Sequence, residues 1–298
     1  MDLDAELSAL AVQRDLPAEL VRRLLRHPQA RRSAALLRRD LTEELIADII
    51  RLGSARSLAA NASVPAHVRA HLAEHPEPTV RAAVAASVED EPPGLWARLA
   101  TDQDPTVRAF LAMNEHLSHE LLAVLAADPE PYVRSSVVQY GRQAPEPVRR
   151  ALLTDPDPDV RRTAATVYAP PPDLLPALLA DPETRSLAVR HADPSPELAA
   201  DPDSGVRRAV ADHPNLPAEL RNRLARDPDI HVRNTIAARP DTPAPLRESL
   251  IATAATDDPL TEWVLSFKRS AHTCPPRSPA PPDLTREQAE ELLVRAGL

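Results

Sequence analysis

Histidines at helical spacing and a recurring arginine are the residues of this sequence that could bind a ligand. His67, His71 and His75 are four residues apart, so on a helix their side chains would share one face, where two imidazoles can chelate a metal ion. His75 precedes a proline and therefore lies at a helix end. Because only two of the three could share an ion, we favour a structural or surface role over a metal site.

The other residues capable of chemistry form no recognisable catalytic group. His116 and His119 lie beside Glu115 and Glu120, which makes them a second and weaker candidate for a metal pair. Cys274 is the only cysteine; this excludes intramolecular disulfides and multi-cysteine metal sites, and we interpret the residue as an exposed bystander. We find no phosphate-cradling glycine loop and no nucleophile elbow. The sequence therefore predicts no catalytic, cofactor-binding or metal-binding residues, and a protein that is not an enzyme.

An arginine recurs in a segment of the form DPxVR, of which DPDPDVRRTA with Arg161 is a clear copy. Successive copies are separated by 22 to 27 residues, and such a period is the signature of a repeat protein. A row of arginines could bind anions through bidentate contacts. Because an Asp or Glu precedes most of these arginines at the neighbouring turn, we favour a structural ladder of ion pairs instead. The nine copies are at Arg31, Arg56, Arg81, Arg108, Arg134, Arg161, Arg185, Arg207 and Arg233.

A pair of apolar residues at positions i and i+4 recurs in register with the arginine, as in LPAELRNRLA with Leu220 and Leu224. Such a pair lies on one face of a helix. The copy at Leu198 breaks the pattern, because its partner position holds Pro202. The loops around this copy are also shortened, so its second helix must lose about a turn. We expect a local change of superhelical twist and interpret the break as sequence drift, with a binding feature as the alternative.

The helix boundaries have a physical logic. Asp157 is placed to cap a helix whose first position is Pro158, and Asp104 with Pro105 repeats the arrangement. Helices this short are marginal in water, so stacking of neighbouring repeats must stabilise them. The sequence therefore predicts an all-α fold over residues 1–270: an α-solenoid of about ten repeats of 22–27 residues. Each repeat pairs two short helices, one of them α and the other α or 3-10, and no β-sheet is expected.

The C-terminal segment departs from the repeats. Residues 271–282 contain five prolines and are predicted to form an extended linker. Residues 283–298 are predicted to form a helix, because Thr285 and Gln288 make a capping box and Leu284 with Ala289 a hydrophobic staple. We favour a helix that caps the last repeat; the alternative is a tethered helix that docks on a partner.

These residues resemble the leucine-rich repeat variant family, from about Leu16 to about Ala252, with LARDPDIHVRNTIAARPDTPAPL as an especially close copy. The DPxVR half is also similar to HEAT-like repeats. The resemblance implies a right-handed superhelix of alternating α and 3-10 elements without a β-sheet. One member of the family carries an iron–sulfur cluster on a group of cysteines beside its repeats. Nothing in this chain corresponds to that group, so we carry over no cofactor.

Composition and charge narrow the functional classes. The formal net charge is −9, which disfavours nucleic acid and anionic membranes as partners. No apolar run is long enough to cross a membrane and no secretory signal is present, so we expect a soluble, cytoplasmic protein. The preferred function is a scaffold or adaptor that binds a protein on an extended concave surface. The alternative is a HEAT-like DNA-binding enzyme of the alkylpurine glycosylase type, which needs a basic groove and aromatic residues; Trp96 and Trp263 are the only tryptophans.

Overall fold

The protein is an array of short helices. The computed structural model describes residues 3–87, 94–141, 143–257 and 283–298, and no β-strand occurs within these ranges, which confirms the predicted all-α class. None of the described helices combines the length and the apolar character that a membrane crossing needs. The α-helices of the described residues span Leu3–Val12, Ala18–Leu24, Pro28–Leu37, Glu43–Arg51, Ala55–Ala59, Ala66–Leu72, Pro78–Ser87, Leu95–Leu99, Pro105–Leu111, His119–Ala126, Pro131–Tyr140, Glu146–Leu153, Pro158–Val167, Leu175–Ala180, Arg185–Ala188, Ser204–Asp212, Ala218–Leu224, Ile230–Ala238, Ala244–Asp257 and Arg286–Arg295, and the 3-10 helices span Val189–His191 and Leu198–Ala200.

Two kinds of helix alternate along the chain. The first helix of a repeat carries the DPxVR arginine, and the second helix carries the apolar pair. The helices Leu3–Val12 and Ala18–Leu24, which we call the opening pair, begin the series, although the first of them lacks the arginine. Nine further pairs follow within the described residues, in agreement with the prediction of about ten repeats. Both helices are α in most repeats, whereas the resemblance implied a regular alternation with 3-10 elements.

Capping side chains set the start of the first helices, as the sequence predicts. The Asp104 carboxylate accepts a hydrogen bond from the Thr106 amide at 2.8 Å, and Pro105 occupies the first helical position. Asp157 accepts from the amides of the second and third helical residues in the same way, with Pro158 at the first position. The carboxylate satisfies amides that have no partner within the helix, and proline loses nothing there because its missing amide would be unpaired.

The array divides into two compact units, one comprising Met1–Arg149 with Pro279–Leu298 and the other Arg150–Ser278. Within each unit, every first helix packs against the first helix of the next repeat. The apolar residues of the pattern fill these interfaces: Val107 and Leu111 are fully buried in the one unit, and Val206 and Val210 in the other. Each helix thus buries its apolar stripe against a neighbour, as the energetics of a repeat array require.

The irregular repeat is shortened where the sequence predicted it. Its second helix is only the 3-10 turn Leu198–Ala200, and its first helix is Arg185–Ala188 extended by the 3-10 turn Val189–His191. Ala199 is buried here, whereas Leu198 stays partly exposed. The smaller residue has therefore taken the core position, because one 3-10 turn cannot present a pair of residues four positions apart on one face.

The C-terminal helix packs at a different place from the one we expected. It has the predicted capping box between Thr285 and Gln288, but it packs on the opening pair, whereas we expected it to cap the last repeat. The hydrogen bonds that fix it join residues about 270 positions apart, such as Gln13 and Leu284. Local sequence gives no information on such a contact. The predicted linker, residues 271–282, lies outside the described residues.

Candidate functional site

At least five of the nine recurring arginines form ion pairs between neighbouring repeats. The guanidinium of Arg108 donates two hydrogen bonds to the Asp128 carboxylate, at 2.6 and 2.9 Å. Arg207 holds Asp227 in the same bidentate way at 2.8 and 2.9 Å. In each case the carboxylate lies 20 residues further along, in the next repeat. We call this set the arginine ladder; its described pairs are Arg81–Asp102, Arg108–Asp128, Arg161–Asp181, Arg185–Asp201 and Arg207–Asp227.

Each ladder arginine also holds the turn that precedes its own helix. Nη1 of Arg108 donates to the Asp102 carbonyl oxygen at 2.6 Å, and Nη1 of Arg207 donates to the Asp201 carbonyl oxygen at 2.8 Å. The carboxylate of Asp102 meanwhile accepts a hydrogen bond from the Asp104 amide at 2.9 Å. One side chain therefore joins its own turn to the next repeat, and the fork geometry of arginine is what permits both contacts.

This geometry supports the structural interpretation of the arginines and corrects the identity of their partners. We expected the carboxylate of the turn just before each arginine to be the partner. That carboxylate, for example Asp157, caps the helix instead, and the arginine pairs with the aspartate of the following repeat. The sequence contained a signal for this pairing. Most repeats carry two acidic residues before the helix, and only one of them is needed as a cap, so the other is available to an arginine.

The ion pairs of the ladder shift the pKa values of several of its members toward the charged forms. The hydrogen bond to Asp128 raises the pKa of Arg108 above its usual value, against the opposing effect of burial. Burial alone would raise the pKa of Asp227, but the hydrogen bonds from Arg207 and the Asp229 amide outweigh it, so this pKa lies below its usual value. In the pair Arg207–Asp227 the pKa of the arginine is raised and that of the aspartate is lowered, so both groups stay charged at neutral pH and hold each other.

Acid should unfold the protein through these carboxylates. The hydrogen bond from Arg161 lowers the pKa of Asp181, so the folded state favours the ionised form more than the unfolded state does. The resulting stability is complete above the unfolded pKa of about 3.9 and is lost as the pH falls through the lower folded value. We expect the melting temperature to fall steeply below about pH 4 in a calorimetric series. Asp181→Asn should be less stable at pH 6 and should show a shallower acid dependence; an unchanged slope would contradict this.

A second row of polar side chains joins the carboxyl ends of the first helices. Arg239 donates to the carbonyl oxygens of Ala211 and His213 in the preceding repeat at 2.8 and 2.7 Å. Ala211 lies in the last turn of its helix, where its carbonyl has no acceptor role within the helix, and His213 directly follows that helix. We did not predict this row from the sequence, although a polar residue does recur five to seven positions after the ladder arginine. The members that bind a preceding first helix or the residues just beyond it are Arg38, Asn61, Ser87, Asn114, Arg190 and Arg239.

Two of the three histidines at helical spacing, His67 and His75, contact different partners. His67 lies 3.0 Å from the Glu43 carboxylate, and the Nδ1 atom of His75 accepts a hydrogen bond from the Glu77 amide at 3.1 Å. His71 is exposed. No group of three or more potential ligands that could hold a metal ion occurs in the described part of the chain. His75 therefore shapes the turn into the next first helix, which is a local structural role.

His27 and His213 also precede prolines, and they lie at different kinds of helix end. His27 lies between two helices and caps the second of them, because its Nδ1 atom accepts a hydrogen bond from the Ala30 amide at 3.4 Å. His213 instead follows the first helix Ser204–Asp212. His116 and His119 are exposed near the start of His119–Ala126. Cys274 lies outside the described residues.

Exposed aromatic side chains lie on two adjacent first helices. Tyr132 and Tyr140 of the helix Pro131–Tyr140 are 59% and 46% exposed. They are eight residues apart, just over two turns, and so lie on the same side of the helix. Phe110, on the helix packed beside it, is partly exposed. We call Phe110, Tyr132 and Tyr140 the tyrosine face. Trp96, in contrast, is buried in the core, where it cannot stack on a base.

A surface cleft between the second helices Ala18–Leu24 and Glu43–Arg51 is lined by three arginines, which suggests an anion site. Two of these arginines are already paired: Arg22 contacts Glu44 and Asp48, and Arg51 contacts Asp48. Such pairing lowers the attraction of the cleft for an added phosphate or carboxylate, because the positive charge is largely neutralised. The cleft is therefore a weaker candidate than the tyrosine face.

Helix pairs joined by hydrogen bonds from each repeat to the next define an all-helical repeat protein. The profile of the family described as leucine rich repeat variant matches residues 205–229, which confirms the resemblance over a segment that includes both members of the pair Arg207–Asp227. A solved structure titled "A leucine-rich repeat variant with a novel repetitive protein structural motif" is similar, with 27% identity, a TM-score of 0.49 and coverage of 73% of this chain and 84% of that chain. No curated protein matched the sequence.

Proposed function

We propose that this protein is a non-catalytic scaffold that binds a protein partner at the tyrosine face. The observation that carries the proposal is the exposure of Tyr132 and Tyr140 in a chain with only three tyrosines. Tyrosine supplies a large, rigid contact area with one polar end, and it is enriched among the residues that dominate binding energy at interfaces. Two tyrosine side chains exposed to water contribute little to the packing of the core.

The charges of the array support a protein partner over nucleic acid. The described ladder arginines are committed to aspartates and backbone carbonyls, so they offer little positive charge to a phosphate backbone. The net charge of −9 adds repulsion for DNA and attraction for a partner with a basic surface. We place the interaction in the cytoplasm, in keeping with the expectation from the sequence.

The test captures binding proteins from the native host with the wild type, with a tyrosine variant and with a control variant. Tyr132→Ala/Tyr140→Ala should remove specific partners from the captured proteins, as measured by quantitative mass spectrometry, because both contact areas are lost. The free energy of unfolding of this double variant should change by no more than about 0.5 kcal/mol for each exposed site. We expect a loss of at least tenfold in the amount of a true partner, which corresponds to about 1.4 kcal/mol of binding free energy.

The matched control is Val124→Ala. Val124 is 50% exposed but lies on the second helix His119–Ala126, so this variant should retain the partners. Equal losses in both variants, or no loss in the tyrosine variant, would contradict the proposal. The alternative, a DNA-binding enzyme of the alkylpurine glycosylase type, makes a different prediction. It requires micromolar or tighter binding to duplex DNA with a steep salt dependence, which fluorescence anisotropy at about 150 mM salt measures directly.

A further inference from the structure

The C-terminal helix covers a surface of the opening pair with its apolar side. Ala289, Leu292 and Leu293 are buried, whereas Val294 is 71% exposed. The residues thus divide into a covered side and a side in water, as in an amphipathic helix lying in a groove. We call the covered surface of Leu3–Val12, Ala18–Leu24 and Gln13 the opening groove.

Polar contacts at both ends of the helix fix its position. The side-chain amide of Gln13 donates to the Leu284 carbonyl oxygen at 2.7 Å and accepts from the Leu284 amide at 2.9 Å. Arg23 donates to the Leu298 carbonyl oxygen at 2.7 Å. Arg295 lies 3.6 Å from Glu6. The contacts from Gln13 and Arg23 are made to backbone atoms, so the opening groove recognises the ends of a helix of a given length.

The connection between the helix and the repeats leaves room for exchange. The described repeats end at Asp257 and the described C-terminal segment begins at Asp283, so 25 residues join them. Fully extended, such a segment spans up to roughly 80–90 Å. The helix itself has ten residues, and one of that length is marginal in water unless it is docked. Release and recapture of the helix are therefore compatible with its length and its tether.

We propose that the opening groove also binds residues 283–298 of a second copy of this chain, so that two copies exchange their C-terminal helices. The occupant needs no further chemistry, because the second copy presents the same three apolar residues and the same backbone ends. Because the helix belongs to the same chain as its groove, its effective concentration there is about millimolar, and in dilute solution it occupies its own groove. Exchange becomes favourable as the protein concentration rises, which is how domain swapping produces dimers.

Two complementary variants test the exchange. Leu292→Asp/Leu293→Asp destroys the helix as a ligand but leaves the opening groove, and Gln13→Ala/Arg23→Ala weakens the groove but leaves the helix. Each variant alone should stay monomeric by sedimentation equilibrium at about 100 μM. Their mixture should form a 1:1 complex at least tenfold more tightly than either variant associates with itself. A mixture that stays monomeric at that concentration would overturn the proposal.

A labelled peptide of residues 283–298 gives an independent measurement on the full chain. It should bind Leu292→Asp/Leu293→Asp at least tenfold more tightly than the wild type, because the wild-type groove is filled. Val294→Asp, which changes the exposed side of the helix, should bind the peptide as weakly as the wild type. The milder Leu293→Ala guards against misfolding and should also bind more tightly than the wild type. Equal binding to all four chains would overturn the proposal and would leave the tyrosine face untouched.

Discussion

Replacing Arg207 with alanine should lower the free energy of unfolding by about 3 kcal/mol, because it leaves a buried carboxylate without its partner. The Asp227 side chain is only 5% exposed, so water cannot take the place of the lost guanidinium. The substitution also removes the hydrogen bond from Arg207 to the Asp201 carbonyl oxygen. The repeat thus loses its link to the next repeat and the contact that fixes its own turn.

The adjacent arginine provides the matched control. Arg208 is exposed, and Arg208→Ala should change the stability by no more than about 0.5 kcal/mol. Urea titrations followed by circular dichroism measure both variants under the same conditions. Equal stabilities of the two variants would show that Arg207 does not join the repeats. If the Arg207→Ala variant is as stable as the wild type but no longer binds a protein partner, the arginine binds a ligand instead.

Arg239→Ala should cost about 2–3 kcal/mol, because it strips the charged donor from two buried carbonyl oxygens. These are the oxygens of Ala211 and His213, to which Nη1 donates at 2.8 and 2.7 Å. Arg239→Lys should recover only part of the loss, since an ammonium group lacks the fork that also reaches Asp241. Thermal melts of the two variants give the comparison.

The control for this second row is the exposed Arg226. Arg226→Ala removes an arginine from the same unit without touching the carbonyls, and its melting temperature should match that of the wild type. If Arg239→Ala and Arg226→Ala melt together, the row of polar side chains does not stabilise the junctions between first helices. Its recurrence in the sequence would then need another explanation.

The features that could be predicted from the sequence are those governed by neighbours within one repeat. Asp157 with Pro158 sets the start of a helix by contacts two and three residues away, and the apolar pair Leu220 and Leu224 defines one helical face. The missing anchor at Pro202 correctly predicted a shortened second helix. Each of these depends on local backbone geometry, which residue types and spacing determine directly.

The features that could not be predicted depend on how the repeats meet. The arginine chooses between two carboxylates, and only the stacking of the next repeat places Asp227 rather than Asp203 within reach of Arg207. The contact between Gln13 and Leu284 spans nearly the whole sequence and follows from the path of the chain. The tyrosine face was also missed, because exposure at Tyr132 and Tyr140 is a property of the packed helices.

Above all, we infer that the ladder arginines join their repeats to the next. A double-mutant cycle on Arg207 and Asp227 tests it most directly, with Arg207→Ala, Asp227→Ala and the double variant compared with the wild type by urea unfolding. We predict that the double variant is less destabilised than the sum of the single variants, with a coupling free energy of about 2 kcal/mol. Additivity within about 0.5 kcal/mol would contradict the claim.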